Sequence, residues 1–364
     1  MRIDRVQTTL YRIALESPVQ MAGKPMLADF DMVVVDIDTA EGAGGWGYTA
    51  LHSGHGSAVA ALAAGPFTEL LVGADARHIE ALWHKLWKAA YYSGRGGSTG
   101  FALAAVDTAL WDLRGKSLGE PLWRLLGGFN PTVPAYAGNI DLHLPLEALL
   151  ENASRTLESG HRALKMRLGK PTLAEDVARV TAMRELIGPN VPLMVDANES
   201  FRVDQAIRAC HALRDLDLGW IEEPIAPDNF TGYAHVRATG GIPVAAGENL
   251  HTLSEFAQLI TAGGIDFPEP DLTTCGGITP WMKIAHLAEA HGLPVTSHGA
   301  HEMHVHLLSA VPNAAYLEVH AVGLDRFIAE PLAITDGHAT APDRSGHGIA
   351  LDRQALAPYL LDAR

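Results

Sequence analysis

Three carboxylates recur at a constant interval in the middle of the chain. Asp196, Glu222 and Glu248 each follow a short apolar run, and successive members lie 26 residues apart. This interval fits one strand plus one helix, and the carboxyl ends of parallel barrel strands share one face. Clustered carboxylates repel one another unless a cation neutralises them, and hard oxygen ligands suit Mg²⁺. The spacing therefore predicts a divalent metal site, in which Glu223 could compete with Glu222 because neighbouring strand residues point to opposite faces.

Further ionisable residues continue this pattern on both sides. Lys165 comes about one unit earlier, and Asp271, His298 and Glu318 follow at similar steps. His298 could act as a general base, because imidazole titrates near neutral pH and Asp271 could orient its ring. Lys165 and a bound metal could stabilise the negative charge that develops when a carbon beside a carboxylate loses its proton. The set predicts an enzyme that removes such a proton.

From Thr132 onward, short apolar runs alternate with helical patterns. This alternation predicts parallel strands joined by helices. Eight such units predict a closed barrel, and a doubly wound open sheet is the alternative. The predicted strands are Val133–Ala137, Ala163–Leu168, Leu193–Asp196, Trp220–Glu223, Val244–Glu248, Ile265–Asp271, Pro294–His298 and Tyr316–Val319.

The N-terminal part has a different pattern. Strand-like runs around Ile3–Tyr11 and Met32–Asp38, followed by helical patterns to about residue 127, predict an α+β capping domain. The Gly-rich run at residues 93–100 lacks the Lys-Ser/Thr ending of a phosphate loop, so we interpret it as an ordinary loop. We predict three regions: a cap over residues 1–127, a barrel over 128–322, and a C-terminal segment over 323–364 that packs on the cap.

Composition restricts the partners and the compartment. The net charge of −15 disfavours nucleic acid and anionic membrane surfaces. No apolar run approaches the roughly 20 residues of a membrane span. Cys210 and Cys275 do not form a disulfide framework, which is typical of a reducing cytoplasm. We expect a cytoplasmic homo-oligomer that acts on a small carboxylate.

Short motifs occur in a fixed order along almost the whole chain. They are Trp111-Asp-Leu-Arg-Gly-Lys116, Leu125-Leu-Gly-Gly128, Lys165-Met-Arg167, Val195-Asp-Ala-Asn198, Ile221-Glu-Glu-Pro224, Gly247-Glu248, Pro270-Asp-Leu-Thr-Thr-Cys-Gly-Gly-Ile-Thr279, Thr296-Ser-His298 and Leu317-Glu318. In this order they resemble the motifs of the mandelate racemase-like subgroup of the enolase superfamily. The resemblance implies a (β/α)7β TIM-like barrel with an α+β cap.

The same resemblance implies roles for individual residues. Mg²⁺ would be bound by Asp196, Glu222 and Glu248. Asp271 and His298 would form a catalytic dyad, and the carboxylate of Glu318 would hydrogen-bond the substrate carboxylate or its enediolate. Cap loops at residues 19–26 and 49–55 would close the pocket. Candidate substrate contacts there and on the rim are Gln20, Lys24, His52 and Asn198.

Arg167 departs from the family pattern. Many relatives have Lys-x-Lys on this strand, whereas guanidinium stays protonated and is a poor base. Two-base racemisation would lose its second base, but His298 alone could take the α proton and then help the β-hydroxyl leave. We therefore predict dehydration of a sugar acid to a 2-keto-3-deoxy acid. A racemase or epimerase, and a sugar-lactone cycloisomerase, are the alternatives within the same chemistry. A catalytically silent binding protein is disfavoured. Such a protein would have no chemical reason to keep the three metal ligands, the dyad and Lys165.

Overall fold

The computed structural model describes residues 1–364, beginning with an antiparallel meander. Strands β1 (Ile3–Val19), β2 (Leu27–Thr39) and β3 (Gly44–His52) pair in sequence order. The middle of strand β2, Met32–Val35, is continuously apolar because both faces of the strand are buried there. Val33 and Val35 pack in the core of the cap, whereas Met32 and Val34 pack in the larger core that includes the barrel. The sheet of the cap is thereby held against the barrel.

Helices of the cap cover the other face of this sheet. They are α1 (Gly56–Leu62), a π-helical stretch (Ala63–Phe67), α2 (Thr68–Leu71), α3 (Ile79–Ala90), α4 (Ser98–Leu118) and α5 (Leu122–Leu125). Helix α4 packs directly on β3, where a Cβ on Gly47 would lie 2.5 Å from the carbonyl oxygen of Ala105. Only glycine permits this close approach.

The barrel alternates strands and helices from residue 132 onward. Its elements are β4 (Thr132–Gly138), α6 (Leu146–Glu158), β5 (Leu164–Arg167), α7 (Leu173–Ile187), β6 (Leu193–Asp196), α8 (Val203–Leu213), β7 (Leu218–Glu222), α9 (Phe230–Gly240), β8 (Val244–Ala246), α10 (Leu253–Thr261), β9 (Phe267–Pro268), α11 (Ile278–Ala290), α12 (His301–Leu308) and β10 (Leu317–His320). Strands β4 to β9 are parallel neighbours, and β10 pairs in parallel with β4. The predicted fold class, a TIM-like barrel with an α+β cap, is confirmed.

Two predicted barrel strands are much shorter than expected. The sixth keeps only Phe267–Pro268, and the seventh is reduced to a bridge between Val295 and Ala314. Prolines at 268 and 270 have no N–H to donate to a ladder, which shortens the sixth strand. The wall stays continuous because the amide of Thr296 donates to the carbonyl of Pro268 at 2.9 Å.

The C-terminal residues return to both earlier parts of the chain. Strands β11 (Ile334–Thr335) and β12 (His338–Thr340) add an antiparallel hairpin to β4, and after α13 (Arg353–Leu356) strand β13 (Leu360–Ala363) pairs with β1. Single 3-10 turns occupy Arg214–Leu216, Asp325–Phe327 and Ala357–Tyr359. No helix has the length and apolarity needed to cross a membrane. The division into regions at residues 127 and 322 stays a prediction.

Candidate active site

Neighbouring barrel strands bring the first site residues into contact through their register. Arg167 of β5 lies opposite Asp196 of β6, and Asp196 lies opposite Glu222 of β7. Glu248 follows the last residue of β8 by two positions. One carboxylate oxygen from each of Asp196, Glu222 and Glu248 can lie within 4.8 Å of the others. The register therefore gathers the three predicted metal ligands at one rim.

The donor set of this cluster fits Mg²⁺. All three ligands offer carboxylate oxygens, and Asp196 and Glu222 are fully buried. With Asp271 and Glu318 nearby, five carboxylates meet only two permanent cations, Lys165 and Arg167. Buried carboxylates in such excess require a cation to compensate their charge.

Lys165 forms the centre of a buried ionic network. Its Nζ lies 2.5 Å from Glu222, 2.8 Å from Glu318 and 3.6 Å from Asp196. Burial alone would lower the pKa of Lys165, but Glu222 and Glu318 raise this pKa above its usual value. Lys165 is thus held as a cation, which suits it to stabilise negative charge rather than to accept a proton.

Arg167 is a fixed cation beside the metal cluster. Its guanidinium pairs closely with Asp196, donates to the side-chain oxygen of Asn198 at 3.2 Å and donates to the carbonyl of Asn139 at 3.0 Å. The side chain is 1% exposed. Loss of its proton would leave the carboxylate of Asp196 without this partner, which opposes a role for Arg167 as base.

His298 lines the cavity and lies between two carboxylates. Its Nδ1 is 3.0 Å from Asp271 and its Nε2 is 2.7 Å from Glu248. Burial would lower the pKa of His298, but the charges of Glu248 and Glu318 and the bond to Asp271 raise it well above the usual value. The ring is held through Nδ1, so Nε2 is the nitrogen that faces the metal side.

Glu318 is aimed into the site by two glycines. The amide of Gly299 donates to one of its carboxylate oxygens at 2.9 Å, and Lys165 pairs with the other. A Cβ on Gly138 would lie 2.6 Å from the Cδ of Glu318, so glycine at 138 provides the space that this carboxylate fills. The carboxylate is completely buried.

The backbone is strained where it leaves the barrel strands at this rim. Asn198, Glu199, Glu223 and Ala300 all adopt positive φ, between 34° and 60°. Such conformations cost energy for residues other than glycine and concentrate at functional sites. Glu223 accepts bonds from the amides of Gly247 and Asn249. Burial, with the charge of Glu248, raises the pKa of Glu223 to about 8.

A cavity of about 170 Å³ opens between this rim and the cap. Of the predicted substrate contacts, His52 and Asn198 line the cavity. Gln20 is not among the lining residues. Lys24 is not among them either, and its Nζ lies 2.9 Å from the partly buried rim residue Glu199.

Three ionisable residues that line the cavity were not identified from the sequence. The hydroxyl of Tyr48 on β3 donates to Glu302 on α12, and both residues are buried. His320 stands at the end of β10. Its position two residues after Glu318 is a sequence signal, because alternate strand residues share a face. Glu302 and Tyr48 have no comparable signal, since their meeting depends on how the cap docks.

Comparisons with known proteins find relatives over nearly the whole chain. Residues 5–127 match the family model "Mandelate racemase / muconate lactonizing enzyme, N-terminal domain", and residues 148–355 match "Enolase C-terminal domain-like". The chain is 48% identical to a 3,6-anhydro-α-L-galactonate cycloisomerase of Streptomyces coelicolor, over 97% of this chain and 98% of the relative.

Two solved structures are similar over nearly their full lengths. A racemase from Streptomyces coelicolor with bound magnesium superposes with a TM-score of 0.96 at 46% identity, covering 99% of this chain and 100% of the other. An L-talarate dehydratase from a Polaromonas species, in complex with Mg and L-glucarate, superposes with a TM-score of 0.95 at 35% identity, covering 100% and 98%.

Proposed function

Because the chain belongs to the mandelate racemase/muconate lactonizing enzyme group of the enolase superfamily, we propose that it opens the ring of a 3,6-anhydro sugar monoacid by β-elimination. Members of the family share Mg²⁺-dependent chemistry in which a proton beside a carboxylate is removed. The proposal specifies which oxygen then leaves C3 of the substrate. A ring ether oxygen on C3 would leave C3 but stay attached through C6, so the product would be an isomer of the substrate.

His298 is the base in this proposal. Its Nδ1 is fixed by Asp271, so Nε2 is the atom that accepts the proton from C2. Asp271 then supports the imidazolium that forms. Nε2 lies beside Glu248, whose charge raises the pKa of His298. Mg²⁺ held by Glu248 would compensate this charge, so that a neutral ring could accept the proton.

Lys165 and Glu318 act on the carboxylate end of the substrate. Lys165 is a buried cation that can stabilise the enediolate, and it is kept in place by Glu318. Mg²⁺, when held by Asp196, Glu222 and Glu248, supplies a Lewis acid that stabilises the same negative charge. Arg167 orients Asp196 and does not take a proton.

The proposed elimination has three steps. The C2–H bond breaks and its proton moves to Nε2 of His298. The electron pair then forms the C2=C3 double bond as the C3–O bond breaks, and the proton on His298 moves to the departing oxygen. The enol finally tautomerises to a 2-keto-3-deoxy acid. When the departing oxygen is a free hydroxyl, the same steps release water.

The main support for a ring-containing monoacid comes from the size and the lining of the cavity. Its volume of about 170 Å³ is small for a ligand site. Arg167 is the only lysine or arginine among the lining residues, and it is already paired with Asp196. Away from the metal ligands much of the wall is apolar, and the polar groups there are neutral or anionic. The apolar part is formed by Met21, Leu27, Phe30, Leu51, Val322 and Leu324, and the polar part includes Glu302, Tyr48, His52 and Thr273. A second carboxylate would meet no free cation there, whereas an ether ring would meet suitable apolar contacts.

Dehydration of an acyclic sugar monoacid is the second candidate. It is favoured by the polar groups of His52 and of the Tyr48–Glu302 pair, which could bind free hydroxyls. Both candidates use the same base and the same enediolate.

A substrate comparison tests the proposal. The enzyme with Mg²⁺ would be incubated separately with 3,6-anhydro-L-galactonate, an acyclic hexonate and galactarate, and 2-keto acid formation would be followed together with product mass. We expect the anhydro acid to give a 2-keto acid of unchanged mass and the diacid to react at least tenfold more slowly, the equivalent of about 1.4 kcal/mol. Preferred turnover of the acyclic hexonate with loss of water would establish dehydration instead. Preferred turnover of galactarate would refute the monoacid assignment.

A further inference from the structure

A second imidazole faces the cavity beside the dyad. His320 ends β10, two residues after Glu318, and is in register with Gly138, which is itself paired with Lys165. The His320 and His298 rings have centroids 5.2 Å apart and meet at 65°. Both rings line the cavity. The mechanism above assigns no role to His320.

The two nitrogens of His320 are in different situations. Nδ1 lies 2.9 Å from the carbonyl oxygen and 3.1 Å from the amide nitrogen of Val322, so the adjacent backbone fixes this edge of the ring. Nε2 makes no hydrogen bond within the protein. Burial lowers the pKa of His320 to about 4, so the ring is neutral near pH 7. The two contacts of Nδ1 fit different tautomers: a ring that accepts the Val322 N–H carries its proton on Nε2, whereas a ring that donates to the Val322 carbonyl carries it on Nδ1. An acceptor placed at Nε2 selects the first tautomer.

β-Elimination changes two adjacent substrate atoms: C2 loses its proton, and the oxygen on C3 gains negative charge as its bond breaks. Until His298 has taken the C2 proton, its Nε2 has no hydrogen with which to hold that oxygen in place. Lys165 and Arg167 are held by carboxylates. A ring ether oxygen has no hydrogen, so its partner must be a donor.

We propose that Nε2–H of His320 donates a hydrogen bond to the oxygen that leaves C3. The bond positions this oxygen beside His298 and stabilises its charge as the C3–O bond breaks. His320 keeps its proton throughout, because a neutral imidazole is a very weak acid, and the proton that reaches the oxygen is the one His298 took from C2. The inference rests on the proposed function, since it assigns the leaving-oxygen contact of that same elimination.

Variants of His320 separate the two halves of the reaction. His320→Phe keeps a planar ring but removes the donor, and His320→Gln keeps an N–H donor. Exchange of the C2 proton with D₂O, followed by NMR, reports on His298, and 2-keto acid formation reports on departure of the oxygen. We expect His320→Phe to lower elimination about 100-fold, the effect of removing one such donor, while C2 exchange stays within about threefold of wild type. His320→Gln should recover at least tenfold of the lost elimination.

Other outcomes would overturn the inference. Equal losses of exchange and elimination would show a purely structural role, and unchanged elimination in His320→Phe would show no role. If His320→Phe does not fold by circular dichroism, the comparison of His320→Ala with His320→Gln makes the same distinction. If the wild-type enzyme does not open the anhydro acid but dehydrates an acyclic one, the proposed substrate is wrong. The ratio of exchange to elimination measured on that acyclic acid would then test His320 independently.

Discussion

Replacing Gly138 by alanine would test whether the position of Glu318 controls activity. The added Cβ would lie 2.6 Å from Cδ and Cγ of Glu318, whereas ordinary contact begins at 3.4 Å. The carboxylate must therefore move by at least about 0.8 Å, the difference between these two distances, because its Oε1 would lie even closer to the new Cβ. That movement disturbs the 2.9 Å bond from the amide of Gly299 and the 2.8 Å ion pair with Lys165. Displacements near 1 Å in an active site can cost about 100-fold in rate. We expect kcat/KM to fall by about this factor, or about 2.7 kcal/mol in transition-state stabilisation.

The assay is 2-keto acid formation together with thermal unfolding. Gly138 lies in a strand and has no positive φ, so alanine suits its backbone and the fold should be retained. Gly65→Ala is the control, because no atom would lie within 4 Å of its new Cβ. A folded Gly138→Ala protein with the kcat/KM of wild type would refute the role of Glu318.

Three other predictions concern the metal ligands, the buried carboxyl of Asp107 and the ion pair of Lys24. Calorimetry should show weaker Mg²⁺ binding in Asp196→Asn, Glu222→Gln or Glu248→Gln, and chelation of the wild-type enzyme should abolish turnover. Full turnover after exhaustive chelation would contradict the metal site. Asp107→Asn should alter the pH dependence of stability, because burial raises the pKa of Asp107 to about 7. The free energy of unfolding of the wild type should fall relative to that of the variant as pH rises from about 4, where an unfolded Asp titrates, through about 7. If urea unfolding gives the same pH dependence for both proteins, Asp107 does not have this effect. Lys24→Met should change kcat/KM less than threefold and stability by less than about 1 kcal/mol, because its ion pair with Glu199 is partly exposed; a tenfold loss of kcat/KM would place Lys24 at the substrate.

The barrel and its rim could be predicted from the sequence because both depend on local periodicity. A strand ending in Asp196 or Glu222 is recognisable from the apolar run before it, and parallel pairing then fixes which ends meet. The choice between Glu222 and Glu223 could not be made in this way. It depends on a positive φ at Glu223, which turns that carboxylate towards Gly247 and Asn249.

Contacts between the cap and the barrel were the part that the sequence could not specify. Lys24 carries the charge expected of a substrate ligand, yet Glu199 lies within ion-pair distance of it. Tyr48 and Glu302 are 254 residues apart and meet only because β3 docks over α12. Such pairs leave no periodic signal, since the partners are far apart in the sequence and meet only where the cap packs on the barrel.

Proton exchange in D₂O tests the central claim, that His298 is the one base of the reaction. NMR would follow the C2 proton of substrate with wild-type enzyme, His298→Asn and Arg167→Met, each with Mg²⁺. His298 is oriented by Asp271, whereas Arg167 would have to release its proton to act as a base while it is paired with Asp196. We predict that His298→Asn abolishes both exchange and 2-keto acid formation, and that Arg167→Met keeps measurable exchange. Exchange at the wild-type rate in His298→Asn, together with its loss in Arg167→Met, would place the base on β5 and contradict the one-base elimination.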